Sequence, residues 1–239
     1  MEKFVFHPAQ ERGHVNHGWL NAHHSFSFAS WQHPEKVHFG ALRVLNDDIV
    51  APGMGFGTHP HDNMEIITIP LKGDLEHKDS MGNIGRIKEN EIQMMSAGSG
   101  VTHSEYNPNR DREVNLLQIW IFPKERNIKP RYNQIVLNEI DRKNKFQQVI
   151  SPDGNPIGMN INQHAFFQMA NMDANTKLEY KIQLPGNGVY AFLIEGEIKV
   201  NDNYNLEKRD AIGLWETEML SFEAKKDAQL LLIEVPMNF

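Results

Sequence analysis

The sequence predicts an all-β protein of two domains, and three observations carry that expectation. Short runs of β-branched and aromatic residues recur along its 239 residues, separated by Gly-, Asn- and Asp-containing turns. No long segment holds a 3.6-residue apolar period, so helices are expected to be few and short. The second half of the chain repeats, loosely, the strand-and-turn order of the first.

Taken in order, "HSFSFA" alternates Phe26 and Phe28 with Ser25 and Ser27, which reads as a strand with one buried face. His24 falls on the Phe side by parity and is read as a hydrogen-bonded interior histidine. "HFGALRVLNDDIV" is an apolar run that ends in Asn-Asp-Asp. "EIITIPLKGDLEHKDSMGN" gives a strand, a Lys-Gly turn, an alternating strand and a Gly-Asn turn. "NLLQIWIFP" is a strand closed by proline, with Trp120 and Phe122 read as core residues. The same signals return in "KLEYKIQLPGNGVYAFLIEGEIKVNDN" and "AQLLLIEVP". Between the halves, "PKERNIKPRYNQIVLNEIDRKNKF" is charged and holds two prolines, which places a boundary near residue 136. The expected domains are residues 1–136 and 137–239. Within the repeat, Gly73 aligns with Gly196 at an offset of 123, and Glu91 with Asp210 at an offset of 119.

Composition narrows the function classes. Acidic residues number 31 against 24 basic ones, a net charge of −7 without a long basic run, which argues against a nucleic-acid-binding surface. The absence of cysteine removes disulfides, thiolate-bound zinc and a cysteine nucleophile. The first twenty residues are charged throughout and lack an apolar core, and no apolar stretch reaches the roughly 18 residues of a membrane span. A cytoplasmic protein, read as a monomer without a membrane partner, is the expectation.

Histidine is distributed unevenly: seven of the 12 fall at positions 7, 14, 17, 23, 24, 33 and 38. That cluster has irregular spacing and few carboxylates, and it is not read as a metal site. The segment "GMGFGTHPHDNME" is different. In an extended strand His59 and His61 project to one face, and Glu65 shares their parity if the strand is unbroken. His103 and Glu105 form a second pair two residues apart in "MSAGSGVTHSEYN". Three imidazoles with one or two carboxylates suit a borderline divalent metal such as iron, nickel, copper or manganese. Four protein ligands around an ion that prefers six leave two positions open, which is catalytic in character.

The spacing G-x5-H-x-H-x3-E from Gly53 and G-x2-H-x3-N from Gly100 to Asn107 resembles the two motifs of the cupin superfamily, small jelly-roll-like β-barrels. Two departures stand out: seven residues separate Glu65 from Gly73 instead of six, and Gly98 stands where proline is usual. "HGWLNAHHSFSFA", "FGALRVLNDD", "GFGTHPHDNMEI", "LEHKDSMGN", "MSAGSGVTHSEYNP" and "LLQIWIFP" together resemble the pirin family, and within it the bacterial members described as quercetin 2,3-dioxygenases. The resemblance implies a bicupin with one divalent metal in its first barrel, held by His59, His61, His103 and Glu105. Iron(II) is the ion expected, with nickel, copper, cobalt, manganese and zinc also compatible. It moves the carboxylate ligand from Glu65 to Glu105 and leaves Glu65 either supporting the site from behind the ligands or packing within its strand. His77 in "LEHKDS" is read as an exposed strand histidine ahead of a group gating the pocket.

Carried over by the repeat offsets, the ligand positions land on Ile182, Leu184, Phe222 and Ala224, all apolar, so the second barrel is expected to hold no metal. The resemblance further implies an enzyme that binds a flavonol, or another enol, with dioxygen; Glu105 is read as the base that takes the substrate proton if its bond to the metal is loose enough. Its alternative is a metal- and redox-dependent regulator that binds a protein partner without turnover.

Overall fold

The computed structural model describes residues 2–239. In chain order the strands are β1 (Lys3–His7), β2 (Gly13–Asn16), β3 (Leu20–His24), β4 (Leu42–Val50), β5 (Gly55–His61) and β6 (Glu65–Lys72). Then come β7 (Leu75–Asp79), β8 (Ile84–Ile87), β9 (Glu91–Ser96), β10 (Val101–Tyr106), β11 (Val114–Ile121) and β12 (Arg131–Val136). The second half contains β13 (Gln147–Pro152), β14 (Met159–Ile161), β15 (Phe166–Met172), β16 (Lys177–Lys181) and β17 (Asn187–Glu195). It ends with β18 (Glu197–Val200), β19 (Tyr204–Glu207), β20 (Ala211–Trp215), β21 (Met219–Ala224) and β22 (Ala228–Pro236). Among the described residues the only helical elements are two three-residue 3-10 turns, and no helix is long and apolar enough to cross a membrane.

Two compact units emerge, each with one large and one small sheet. Residues 13–38 and 42–137 form the metal-candidate unit, with a seven-stranded sheet β12-β9-β6-β11-β4-β3-β2 and a four-stranded sheet β5-β10-β7-β8. Residues 39–41 and 138–239 form the other, together with residues 2–12; its sheets run β1-β20-β17-β22-β15-β13-β14 and β16-β21-β18-β19. The sequence reading assigned residues 1–136 to the first domain. The chain instead sends β1 to the edge of β20, pairing Lys3 with Trp215 through His7 with Ala211. β1 thereby covers the edge of β20 as β12 covers the edge of β9 in the first unit.

The repeat is legible strand by strand, since the two sheet orders superimpose. Gly73 and Gly196 both turn with positive φ, +79° and +94°, between equivalent strands. The Glu91 carboxylate accepts from the Lys88 amide at 3.0 Å, and the Asp210 carboxylate accepts from the Glu207 amide at 2.9 Å. Each pairing anticipated from sequence therefore marks an equivalent turn in the two units.

The interiors differ. The second unit holds one continuous apolar core that includes Ala191, Ile212, Leu232, Val200, Leu220 and Phe222. In the first unit two smaller apolar clusters form, one around Leu20, Leu75, Ile87 and Leu116, the other around Ile66, Met95, Ala97 and Val101. A polar row divides them. Gln93, Thr68, Gln118, Asn46 and His24 are mutual cross-strand neighbours on five adjacent strands, and all are buried. The matching row in the second unit reads Ile212, Ala191, Leu232, Gln168 and Gln148. Burying polar side chains costs free energy unless they bond one another or a ligand. All five positions of this row are polar in the first unit, against two, Gln168 and Gln148, in the second.

Candidate metal centre

The site is built on β5 and β10, which pair so that His59 lies directly opposite His103. Gly55 makes the approach possible, because a Cβ at that position would overlap the Glu105 carbonyl oxygen. β5 spends three residues, His59 back to Phe56, where β10 spends two, His103 to Glu105. Such a bulge re-aims side chains locally. The result is a triangle of imidazoles: ring centroids lie 4.4 Å apart for His59 and His103, 4.9 Å for His59 and His61, and 4.9 Å for His61 and His103. One nitrogen from each falls within 4.8 Å of the others.

These rings are prepared to donate lone pairs. His59 Nδ1 lies 2.8 Å from the Gly57 carbonyl oxygen, which can only accept, so Nδ1 is the donor and the neutral tautomer presents its lone pair at Nε2. His103 Nε2 is buried with no hydrogen-bond partner. Burial, then the neighbouring His59, pushes the His61 pKa down to about 4. Burial, then His59, His61 and His77, pushes His103 down to about 3. Both rings are thus neutral at pH 7, the state that ligates metal.

Glu105 is buried in the polar row. Its Oε1 accepts from Thr68 Oγ1 at 3.2 Å and its Oε2 from Gln118 Nε2 at 2.8 Å. Burial raises its pKa to about 7 even though both bonds lower it. Glu105 shares a second group of ligand atoms, again within 4.8 Å of one another, with His103 and His77. The four residues implied by the sequence therefore fall into two overlapping triads joined at His103, and no histidine of the N-terminal cluster enters either triad. The donor set fits a divalent transition metal: neutral imidazoles, one carboxyl, and a buried His103 nitrogen without a hydrogen-bond partner.

Two readings of the sequence need correction. Glu65 is fully buried, yet it does not share the face of His59 and His61, because the strand breaks at residues 62–64 and β6 begins at Glu65. On β6 the interior face belongs to Ile66 and Thr68, and Glu65 points the other way, accepting from Ser96 Oγ at 2.7 Å. His77 is not exposed at all (0%) and sits beside His103. Its neighbour Asp79 shares its parity in "LEHKDS", a pattern that alternation alone could have singled out. Thr68 and Gln118 carried no sequence signal.

Other expectations divide. His24 is an interior histidine, with Nδ1 2.9 Å from Asn46 Oδ1. The strand expected over residues 25–28 stops at His24; Ser25 and Ser27 are buried with Phe26, and Ser27 Oγ donates to the His33 carbonyl at 3.0 Å. Trp120 packs on the apolar cluster around Ile66 and also lies edge-on to His61 at 5.0 Å. Asn107, at the end of the second motif, donates to the carbonyls of Val50, Ala51 and Arg112 and so closes β10.

The repeat register places the second unit's counterparts two residues from where the sequence offsets put them. Leu220 opposes Tyr180 as His103 opposes His59, and Phe222 opposes Val200 as Glu105 opposes His77. The turn after β20 is three residues long against four after β9, which contributes to the slip. By this register Tyr180, Ile182, Leu220 and Phe222 stand in the ligand positions, and Tyr180 already donates its hydroxyl to Glu234 at 2.7 Å.

Comparison with known proteins places this geometry in a family. The profile described as Pirin matches residues 5–121, and one described as the quercetinase C-terminal cupin domain matches residues 148–235. Over 228 residues the chain is 39% identical to quercetin 2,3-dioxygenase of Escherichia coli (strain K12), covering 95% of this chain and 96% of the relative. The chain belongs to the pirin family. Like the bicupins expected from its sequence, this pirin has two cupin domains. It is 36% identical over 228 residues to a pirin-like protein of Caulobacter vibrioides, covering 95% of this chain and 97% of that one. Its fold matches the crystal structure of YhhW from Escherichia coli with a TM-score of 0.93 at 37% identity, covering 99% of this pirin and all of that chain. The crystal structure of bacterial pirin YhhW in complex with nickel(II) matches at 0.92, also 37% identical, covering 98% and 99%.

Proposed function

We propose that this pirin is a metal-dependent dioxygenase that cleaves flavonol-type substrates, using one divalent ion held by His59, His61, His103 and Glu105. Iron(II) is the ion proposed, and nickel, as in the relative's complex, is the first alternative. The observation that carries the reading is the convergence of three imidazoles, one with a buried and partnerless Nε2, beside a fully buried carboxyl. Similarity along nearly the whole chain to a protein named quercetin 2,3-dioxygenase supports the substrate class.

A divalent ion in this site supplies Lewis acidity toward a substrate hydroxyl and a common anchor for substrate and dioxygen. The protein's own groups do the rest. Glu105, with a pKa near 7, can hold the hydroxyl proton at neutral pH. Thr68 and Gln118 fix its two oxygens and keep it aimed. Trp120, edge-on to Phe28 at 5.3 Å and to His61 at 5.0 Å, offers aromatic surface to a planar ring. Dioxygen is the second substrate.

The test is to strip the protein of metal, reload it anaerobically with iron(II) or nickel(II), and add quercetin in air. Loss of flavonol absorbance with release of carbon monoxide, both abolished in His59→Ala and Glu105→Ala, is the expected result. Stoichiometric metal without turnover for any ion would reject the dioxygenase and favour a regulatory role.

A further inference from the structure

His77 plays no part in the ligand set just proposed, yet it is fully buried against that set in the polar interior of the first unit. Its Nε2 lies 3.2 Å from Asp79 Oδ2 and its Nδ1 3.5 Å from His103 Nδ1. Asp79 is held in turn by the hairpin that follows: its Oδ1 accepts from the Met81 and Asn83 amides at 2.9 and 3.0 Å, and its Oδ2 accepts from Asn83 Nδ2 at 2.8 Å. Burial raises the Asp79 pKa, but the bonds from Asn83, His77 and Met81 together outweigh it and hold the group below the usual carboxylate range.

The protons along this chain of contacts follow from elimination. Both Asp79 oxygens already accept from the hairpin's N–H groups, so the carboxylate is the acceptor toward His77 and His77 Nε2 must carry the proton. A neutral imidazole has one proton, so His77 Nδ1 is an acceptor. The atom facing it, His103 Nδ1, must then be the donor, which leaves His103 Nε2 bare. That is the nitrogen the structure leaves buried and partnerless. Tyr132 packs on the His77 ring with centroids 5.0 Å apart, and its own hydroxyl is tied to Gln134 at 2.8 Å, which keeps the ring plane in place.

The second unit supplies an independent comparison. There the counterpart of His77 is Val200 and the counterpart of His103 is Leu220. The copy without a histidine to orient also lacks the residue that would orient it.

We propose that His77, anchored by Asp79, is a positioning residue of the metal centre: it fixes the tautomer and ring plane of His103 so that Nε2 faces the ion. The proposal rests on the metal-site reading above. It extends to this chain the rule that a ligating histidine is oriented through its other nitrogen, with a second imidazole here in the place usually taken by a carboxylate or carbonyl.

The experiment uses the full chain, freed of metal and titrated with cobalt(II) against a chelator, for the parent, His77→Leu, His77→Gln and Asp79→Asn. Cobalt affinity is expected to fall about 10- to 100-fold in His77→Leu, with a shifted cobalt d–d absorption band. His77→Gln, whose amide oxygen can accept from His103 Nδ1, should recover most of both, and Asp79→Asn should lie between. Unchanged melting of the metal-free variants separates this effect from loss of fold. Equal affinity and equal spectra in all four proteins would overturn the positioning role alone. A second cobalt in the parent that disappears in His77→Leu would also overturn it, making His77 a ligand. No cobalt on the parent would sink the metal-site reading itself, and the positioning role with it.

Discussion

Replacing Glu105 with glutamine should make the metal-free protein more stable at alkaline pH while crippling the site. The folded pKa of Glu105 is raised from an ordinary 4.5 to about 7, first by burial. Between those values the unfolded chain has released the proton and the folded chain still binds it. Stability therefore falls as pH rises through this window, by about 1.4 kcal/mol for each pH unit, or roughly 3 kcal/mol in all. A glutamine in this position would carry no charge to bury, and its amide can still bond Thr68 and a reoriented Gln118. Urea unfolding of the metal-free parent and Glu105→Gln at pH 4.5 and pH 8 measures the effect. The variant should match the parent at pH 4.5 and exceed it by up to about 3 kcal/mol at pH 8. If Glu105→Gln is instead the less stable protein at pH 8, the carboxylate is fully satisfied by its two bonds, and the picture of a carboxyl that burial keeps protonated is wrong.

Asp48 extends the same reasoning, since its Oδ1 is buried without a partner and burial, then Asp47, raises its pKa to about 8. Asp48→Asn should add several kcal/mol at pH 8, with roughly 5 as the ceiling, and almost nothing at pH 4, read by the same unfolding assay. Metal affinity should drop about tenfold per pH unit below pH 7, where binding must expel the Glu105 proton, and level off above it; a chelator competition from pH 5.5 to 8 checks the break. Gly55→Ala should push β5 off β10, because the new Cβ overlaps the Glu105 carbonyl; a loss of about 1–3 kcal/mol in stability with weaker metal binding is expected. Gln118→Leu installs the residue of the second unit, Leu232, and should weaken metal binding by about tenfold or more as Glu105 loses a charge-assisted bond.

Much of this protein is written locally in its chain, and the rest is not, for physical reasons. Alternation and turn glycines reveal strands because a pleat has period two, and the Gly73–Gly196 pairing survives because both positions need positive φ. His59, His61, His103 and Glu105 stand out because ligands two residues apart on a strand must share a face. Glu65 misled because parity counts only along an unbroken strand, and three residues of turn intervene. Thr68 and Gln118 were invisible because their roles depend on cross-strand register, which no local pattern encodes, whereas the shared parity of His77 and Asp79 was legible and His77 was misjudged as exposed. The N-terminal segment was placed in the first domain by chain position alone, whereas β1 pairs with β20 of the second unit, a non-local pairing that local patterns do not encode.

One ion is expected among His59, His61, His103 and Glu105. A structure of the nickel- or iron-loaded protein, with the ion located by anomalous scattering at the metal edge, tests it most directly. One peak bonded to the Nε2 atoms of His59 and His103, a nitrogen of His61 and an oxygen of Glu105, with His77 outside bonding distance, is the expected result. A peak held by His77, His103 and Glu105, or a loaded protein with no peak in the first unit, would contradict it.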